Sequence, residues 1–336
     1  MIWNFYFSGI LYAKFREGKE TLTAQVLNME TGRLGEEKPF GEKENEFLQK
    51  LCSRSIAYLF EKKAAYEEKI AQKQETFILD GARFTDRRGE AYIQRDKKFP
   101  MDLFYENGKI WAVLMSGRDY TAVLVREGME ERTILRAWDE VNPDRRCFGV
   151  RFLGTDFVKT RDGERLASDV YLPSEGQRFP TVLIRTPYGK KRGAEGYFRF
   201  VQRGYAVVIQ DVRGREDSTG EWMPQYYEIE DGDDTLNWIA AQPWSDGKVG
   251  MTGGSYLGYV QWAAAASGNP HLKAMLSSVC AGSAFIDLPR RGGCFDSGML
   301  AWCFSVSEQR MRPDLMVQDN WDEILDIRPI EDIPKR

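Results

Sequence analysis

This chain of 336 residues predicts an α/β fold, a parallel sheet covered by helices, preceded by a smaller α+β region. From Phe148 onward, short apolar runs alternate with helical stretches of about ten residues, the texture of a sheet buried on both faces. Before Phe148 the pattern is different: turn pairs, alternating strands and a charged helical stretch. The 42% apolar and 13% aromatic content is enough for a sizeable core in more than one domain. The reading divides the chain into residues 1–146, 147–287 and 288–336.

In the first region, Trp3 to Phe15 and Thr21 to Leu27 read as a hairpin-like start. Glu42 to Gln74 reads as one long charged helix whose apolar face is Leu48, Leu51, Ile56, Leu59 and Phe60. Glu106-Asn107-Gly108-Lys109 then precedes a strand Ile110 to Met115, and Gly117-Arg118-Asp119 precedes a strand Tyr120 to Val125. No chemistry is visible here. The region reads as an accessory packing or oligomerisation domain, and homo-oligomerisation stays open.

The second region opens with a hairpin, Thr155 to Thr160 and Leu166 to Leu172, around the turn Arg161-Asp162-Gly163. A strand Thr181 to Arg185, a helix around Gly196 to Arg203 and a strand Tyr205 to Gln210 follow. The helix Asp231 to Ala241, the strand Lys248 to Thr252, the helix Tyr256 to Ala266 and the strand Leu272 to Val279 complete the alternation. Ligand chemistry should collect at the ends of these strands.

Forty-seven basic and 51 acidic residues are spread without long blocks, for a net charge of −4, which gives no footprint for nucleic acid or anionic lipid. Cys52, Cys147, Cys280, Cys294 and Cys303 are odd in number and contain no C-x-x-C pair. With His271 as the one histidine, neither a zinc site nor a disulfide framework is expected. The apolar start from Ile2 to Tyr12 lacks a basic flank and a cleavage signal, and it is interrupted by Asn4, Ser8 and Gly9, so it reads as strand rather than signal peptide. A cytoplasmic enzyme fits these facts.

Gly250-Met251-Thr252-Gly253-Gly254-Ser255-Tyr256-Leu257-Gly258 sits where a strand hands over to a helix. A nucleophile elbow lifts its serine off the sheet on a strained turn, and the crowding demands small neighbours. Gly253, Gly254 and Gly258 supply them, although Leu257 stands where G-x-S-x-G places its last glycine. Two other readings stay open at this level. Ser255 as an ordinary helix N-cap is one; a phosphate-binding loop is the other, although neither G-x-G-x-x-G nor G-K-S/T is present.

Residues from about Phe157 to Trp302 carry further motifs in a fixed order. These are Arg161-Asp162-Gly163 with Asp169-Val170-Tyr171; Arg185-Thr186-Pro187-Tyr188-Gly189-Lys190; Gly204-Tyr205-Ala206-Val207-Val208 through Gln210-Asp211-Val212-Arg213-Gly214; Ser218-x-Gly220; and Trp244-x-Asp246-Gly247-Lys248-Val249-Gly250. Together with Gly253-Gly254-Ser255-Tyr256-Leu257-Gly258 they resemble the X-Pro dipeptidyl-peptidase and CocE/NonD hydrolase family. The resemblance implies an α/β-hydrolase sheet and removes the objection from Leu257, since the family's own elbow has the shifted glycine. It implies a serine hydrolase acting on a small-molecule ester or amide or a peptide, X-Pro peptides among them, with no cofactor, with Ser255 as acyl nucleophile and the Tyr188 hydroxyl and the Tyr256 backbone N–H as oxyanion donors. Asp211, Arg213 and Ser218 would order a neighbouring loop. Trp302, on an expected helix Gly298 to Ser307, would line the acyl pocket or pack in the core.

A serine hydrolase also needs a carboxylate and then a histidine after the nucleophile. The one histidine, His271, falls in the loop Ser267-Gly268-Asn269-Pro270-His271, expected at the wrong end of the sheet. The family continues through the rest of a helical cap, further strands and a β-rich domain. Asp287 to Arg336 resembles only the opening of that cap, and the chain stops at Pro334-Lys335-Arg336. The expectation is therefore an incomplete hydrolase sheet with the start of a cap, truncated before its acid and histidine and inactive alone. A non-catalytic remnant acting as a binding or interaction module is the alternative.

Overall fold

A computed structural model describes residues 1–336 except positions 143, 145, 284, 285, 289, 292, 293, 330, 331 and 334–336. The Pro334-Lys335-Arg336 end therefore lies outside the described residues. The chain forms two compact units, Met1–Val150 and Arg151–Arg336.

In the first unit, β1 (Ile2–Phe7), β2 (Ile10–Glu17) and β3 (Leu22–Asn28) lead to the two-residue strands β4 (Arg33–Leu34) and β5 (Lys38–Pro39). Helices α1 (Glu42–Cys52) and α2 (Ile56–Ala71) follow. Then come β6 (Thr76–Leu79), β7 (Ala82–Arg87), β8 (Ala91–Gln94), β9 (Met101–Glu106), β10 (Lys109–Ser116), β11 (Thr121–Arg126) and α3 (Leu135–Val141). The strands form one sheet ordered β4-β3-β2-β1-β11-β10-β9-β8-β7-β6, with β5 on β3, and the two chain-distant strands β1 and β11 pair antiparallel with Phe5 opposite Leu124. Asn107 and Gly108 both take left-handed backbone angles, φ 52° and 74°. That is the turn which matches the twist of a two-residue hairpin. One sheet face, with Trp3, Phe5, Phe7 and Phe84, packs against Leu48, Ile56, Leu59 and Tyr66 from the helices. Burying each such side chain contributes roughly 1.5–3 kcal/mol.

The single helix expected over Glu42 to Gln74 is two helices. Ser53 closes α1 in the left-handed region at φ 56°. Ser55 opens α2, its side chain accepting from the Tyr58 N–H at 3.1 Å. The Ser53-Arg54-Ser55 segment thus caps both ends, which satisfies backbone groups that an unbroken helix would have satisfied internally. No described helix is long and apolar enough to cross a membrane.

The second unit begins with β12 (Val150–Lys159), β13 (Arg165–Pro173) and β14 (Phe179–Thr186). The helix expected around Gly196 to Arg203 is a 3₁₀ turn over Ala194–Tyr197 running into a single turn, α4 (Phe198–Val201). Then follow β15 (Ala206–Asp211), α5 (Glu228–Ala240), β16 (Ser245–Gly254), α6 (Tyr256–Ala266), β17 (Leu272–Ser278), α7 (Ser297–Ser305) and α8 (Trp321–Asp326).

The sheet order is β12-β13-β15-β14-β16-β17. Neighbours from β15 to β17 run parallel, and β13 is antiparallel to β15. This is an α/β-hydrolase type of sheet. Because β14 connects leftward to β15 while β15 connects back rightward to β16, right-handed crossovers put α4 and α5 on opposite faces. Leu183, Val208 and Val249 are fully buried between the layers. At the far end of the order, the β17 side carries exposed Leu276 and Val279.

Candidate active site

In an open parallel sheet, ligands bind outside the carboxyl ends of the strands where the connections part in opposite directions. Here the chain leaves β14 toward β15 and leaves β16 toward β17, and β14 and β16 are hydrogen-bonded neighbours. The crevice therefore opens between their ends. Tyr188 lies just after β14, and Ser255 immediately follows β16.

Ser255 stands at φ 58° and ψ −122°, and its side chain makes no capping hydrogen bond. An ordinary N-cap has extended angles and an engaged side chain, so the N-cap reading does not describe this residue. A non-glycine residue held there is strained by roughly 1–3 kcal/mol and persists because its surroundings fix it. Its N–H donates to the Ser278 carbonyl of β17 at 3.0 Å, and its own carbonyl accepts from Gly258 and Tyr259 in the first turn of α6. The side chain is left exposed. A Cβ on Gly258 would lie 2.9 Å from Cys280 Cβ and 3.1 Å from the Ser278 carbonyl, so a larger residue would push α6 off β17.

Tyr188 is held by its own N–H on Thr186 Oγ1 at 3.1 Å, and its hydroxyl oxygen accepts from Trp302 Nε1 at 3.2 Å. Burial pushes its phenol above the ordinary range, while hydrogen bonds from Trp302 and Ser255 and the charge of Arg215 act the other way. The fold thus brings the side chains of Tyr188 and Ser255, 67 positions apart, close enough for the serine to bear on the ionisation of the phenol. Tyr256 opens α6, so its N–H belongs to the first turn that a helix leaves without an internal acceptor. Its buried ring is stacked on Trp302 with centroids 6.2 Å apart. Its hydroxyl donates to Glu228 Oε1 at 2.6 Å and accepts from the Gln225 N–H.

Beside these groups lies a cavity of about 410 Å³, lined chiefly by Ile184, Tyr188, Ile209, Leu257, Trp302 and Met311. Leu257, out of place in a standard elbow pattern, is part of this wall. Trp302 lines the same wall and also bonds Tyr188, a double role that its place in the sequence did not suggest.

The loop after β15 is ordered by buried charge. Asp211 accepts from the Lys190 N–H at 2.6 Å and pairs with Lys190 Nζ at 3.1 Å. Burial raises its carboxyl to about 6, against the pull of Lys190. Ser218 donates to the Asp211 carbonyl at 2.8 Å, and Arg213 bridges Asp162 and Asp231, each at 2.5 Å. These three residues hold the loop and its neighbours together. Two partners had escaped sequence reasoning. Glu228, which holds the Tyr256 hydroxyl and pairs with the fully buried Arg185 at 2.7 Å, looks in the sequence like an ordinary acid in the first turn of a helix. Arg215 carries no local signal at all.

His271 is elsewhere. Its Nδ1 lies 2.9 Å from the Gly247 carbonyl, near the start of β16. The eight residues from there to Ser255 amount to roughly 25 Å of extended strand.

Residues 162–332, half of the chain, match the family described as X-Pro dipeptidyl-peptidase (S15 family). Cocaine esterase of Rhodococcus sp. (strain MB1 Bresler) is 47% identical over 128 residues, which are 36% of this chain and 22% of that protein. A putative serine esterase of Mycobacterium bovis is 34% identical over 165 residues, 40% of this chain and 25% of that protein. A CocE/NonD family hydrolase from Staphylococcus aureus, of known crystal structure, is 26% identical with a TM-score of 0.41, over 47% of this chain and 36% of that one. The chain thus spans only 22% and 25% of the two curated relatives.

Proposed function

This chain belongs to the X-Pro dipeptidyl-peptidase (S15) family of hydrolases, and from that premise we propose that it carries the nucleophile-bearing part of a serine hydrolase acting on acyl esters or amides, X-Pro peptides among them. The observation that carries the proposal is Ser255: an exposed serine held at φ 58° on a strand-to-helix turn, without a side-chain cap bond and near enough to Tyr188 to bear on its phenol. Nothing in helix capping requires that strain, whereas a nucleophile that must reach a bound carbonyl does.

In this reading, Ser255 Oγ attacks the acyl carbon while a base takes its proton. The carbonyl oxygen becomes an oxyanion held by the Tyr188 hydroxyl and the Tyr256 N–H, two donors fixed before the reaction begins. Collapse breaks the bond to the leaving alcohol or amine, which takes the proton. Water then repeats the sequence on the acyl-enzyme. The apolar cavity lined by Leu257, Trp302 and Met311 favours an apolar acyl group.

The base comes from outside these 336 residues, because the one histidine sits roughly 25 Å along the strand from Ser255. That same separation favours a second reading, in which the unit is a binding or interaction module on a hydrolase-like sheet. Fluorophosphonate labelling separates the two. The chain alone should not label. Co-expressed with the part of the Rhodococcus esterase that lies beyond the matched segment, it should label and turn over activated esters, and both should vanish in Ser255→Ala. No labelling from a folded complemented complex would favour the binding module. Labelling of the chain alone that is lost in Ser255→Ala but kept in His271→Ala would place the base within these residues and overturn this account.

A further inference from the structure

Arg215, in the loop after β15, is fully buried, yet its guanidinium meets no carboxylate among the described residues. Nε donates to the Pro187 carbonyl at 2.9 Å, and Nη1 donates to the carbonyls of Val306, at 2.9 Å, and of Glu308. The guanidinium lies 5.0 Å over the Trp222 ring, and Nη2 has no hydrogen-bond partner among the described residues. Its sequence neighbour Glu216 makes no ion pair with it: Glu216 Oε1 accepts from the Met311 N–H at 3.0 Å and acts on Arg215 only through space. By contrast, Arg185, Lys190 and Arg213 each face a buried acid.

A cation neutralised by an acid across a short gap is nearly silent at a distance. One satisfied only by carbonyl dipoles keeps most of its field, and burial weakens the screening. The carbonyl nearest in sequence to the site is that of Pro187, whose next residue is Tyr188. The other two belong to the segment just after α7, the helix that carries Trp302. Arg215 therefore fastens together the two backbones that place the Tyr188 hydroxyl and its indole donor.

We propose that Arg215 is a positioning residue for the oxyanion site: it fixes the Tyr188 loop against α7 and, as a buried cation without an acid partner, favours negative charge where Tyr188 points. The proposal rests on the serine-hydrolase reading above. The charge of Arg215 already acts to lower the Tyr188 phenol, in the direction the proposal needs.

The test uses this chain with a difluorinated tyrosine at position 188, whose phenol ionises near neutral pH, read by fluorine NMR. Arg215→Met should move the ionisation midpoint up by on the order of one pH unit, and Arg215→Lys, which keeps the charge, by a small fraction of that. A purely structural staple would leave the midpoint unmoved in folded variants, or would shift it equally in both, and either result overturns the proposal. Should Arg215→Met not fold, the unsubstituted arginine still answers. The Arg215 Cζ resonance should follow the phenol's titration with the same midpoint, and a flat resonance would overturn the idea. None of these readouts needs turnover, so their failure is distinct from failure of Ser255 labelling.

Discussion

The two units of this chain bury different things. In Met1–Val150 the core is aromatic, with edge-on pairs such as Trp3 with Phe60 and Phe15 with Phe40, and among the described residues its buried polar ones are Asn4, Ser8, Glu67 and Gln94. In Arg151–Arg336 the apolar layers are also buried, and with them Arg185, Lys190, Asp211, Arg213, Arg215 and Glu228. Burying charge costs several kcal/mol per ion before pairing offsets it, and a well-packed apolar substitute is often as stable. Stability alone therefore does not account for such a concentration. Its location does: these groups cluster around the ends of β14 and β15 and the start of α5, where the loops that aim Tyr188 and Tyr256 are held. The first unit spends its burial on packing, and the second spends part of its own on geometry.

The contrast is broken most directly by losing one donor. In the complemented enzyme, Tyr188→Phe should lower kcat for an activated ester by on the order of 10² to 10³, the usual effect of one oxyanion donor, with an unchanged urea midpoint. A loss of less than about threefold would mean that the geometry serves something other than the oxyanion. Tyr105→Phe, which removes a phenol hydroxyl bonded to Asp86 in the first unit, is the matched control and should leave turnover alone.

A smaller effect is expected from pH. Burial raises Asp211 from 3.8 to about 6 in the folded chain, so the folded state holds this proton more tightly than the unfolded one. Its contribution is full below about pH 4 and is lost as pH rises through about 6, by an amount on the order of 3 kcal/mol. Urea unfolding at about pH 4 and about pH 7 should show wild type losing stability relative to Asp211→Asn. A constant difference between the two proteins would show that Lys190 compensates the charge at every pH.

What was legible in the sequence follows from how local each signal is. The strand read as Thr181 to Arg185 is β14 with small extensions, because a continuous apolar run between turns needs no partner to be recognised. The Gly253-Gly254-Ser255 turn was visible for the same reason. The cap helix Gly298 to Ser307 is present as α7, ending two residues sooner. Arg215 and Glu228 were opaque, since their partners are a carbonyl from residue 187, carbonyls from residues 306 and 308, and a tyrosine hydroxyl 28 positions away. No local periodicity encodes such pairings. The break in the first unit's helix is an intermediate case. Ser55 immediately before the apolar Ile56 and Leu59 is a readable N-cap signal, but the apolar spacing continues across it and masks the interruption.

That break supplies the smallest and sharpest test. If α1 and α2 were one continuous helix, Ser55 would be an interior residue, and Ser55→Ala would stabilise the unit slightly because alanine is the better helix former. As an N-cap, Ser55 accepts from the Tyr58 N–H at 3.1 Å, and its hydroxyl also contacts Asn45. Removing it should cost about 1 kcal/mol. The two cases therefore differ in sign as well as size. Hydrogen exchange at the first-turn amides of α2 should quicken roughly fivefold in Ser55→Ala, the factor that about 1 kcal/mol represents where local opening controls exchange. Exchange in α6, whose N-terminal serine makes no capping bond, should not change. Slower exchange in α2 would show that the helix runs through Ser53-Arg54-Ser55 in solution. Quickening that extends equally over α1 and α2 would show that the two helices open as one cooperative unit.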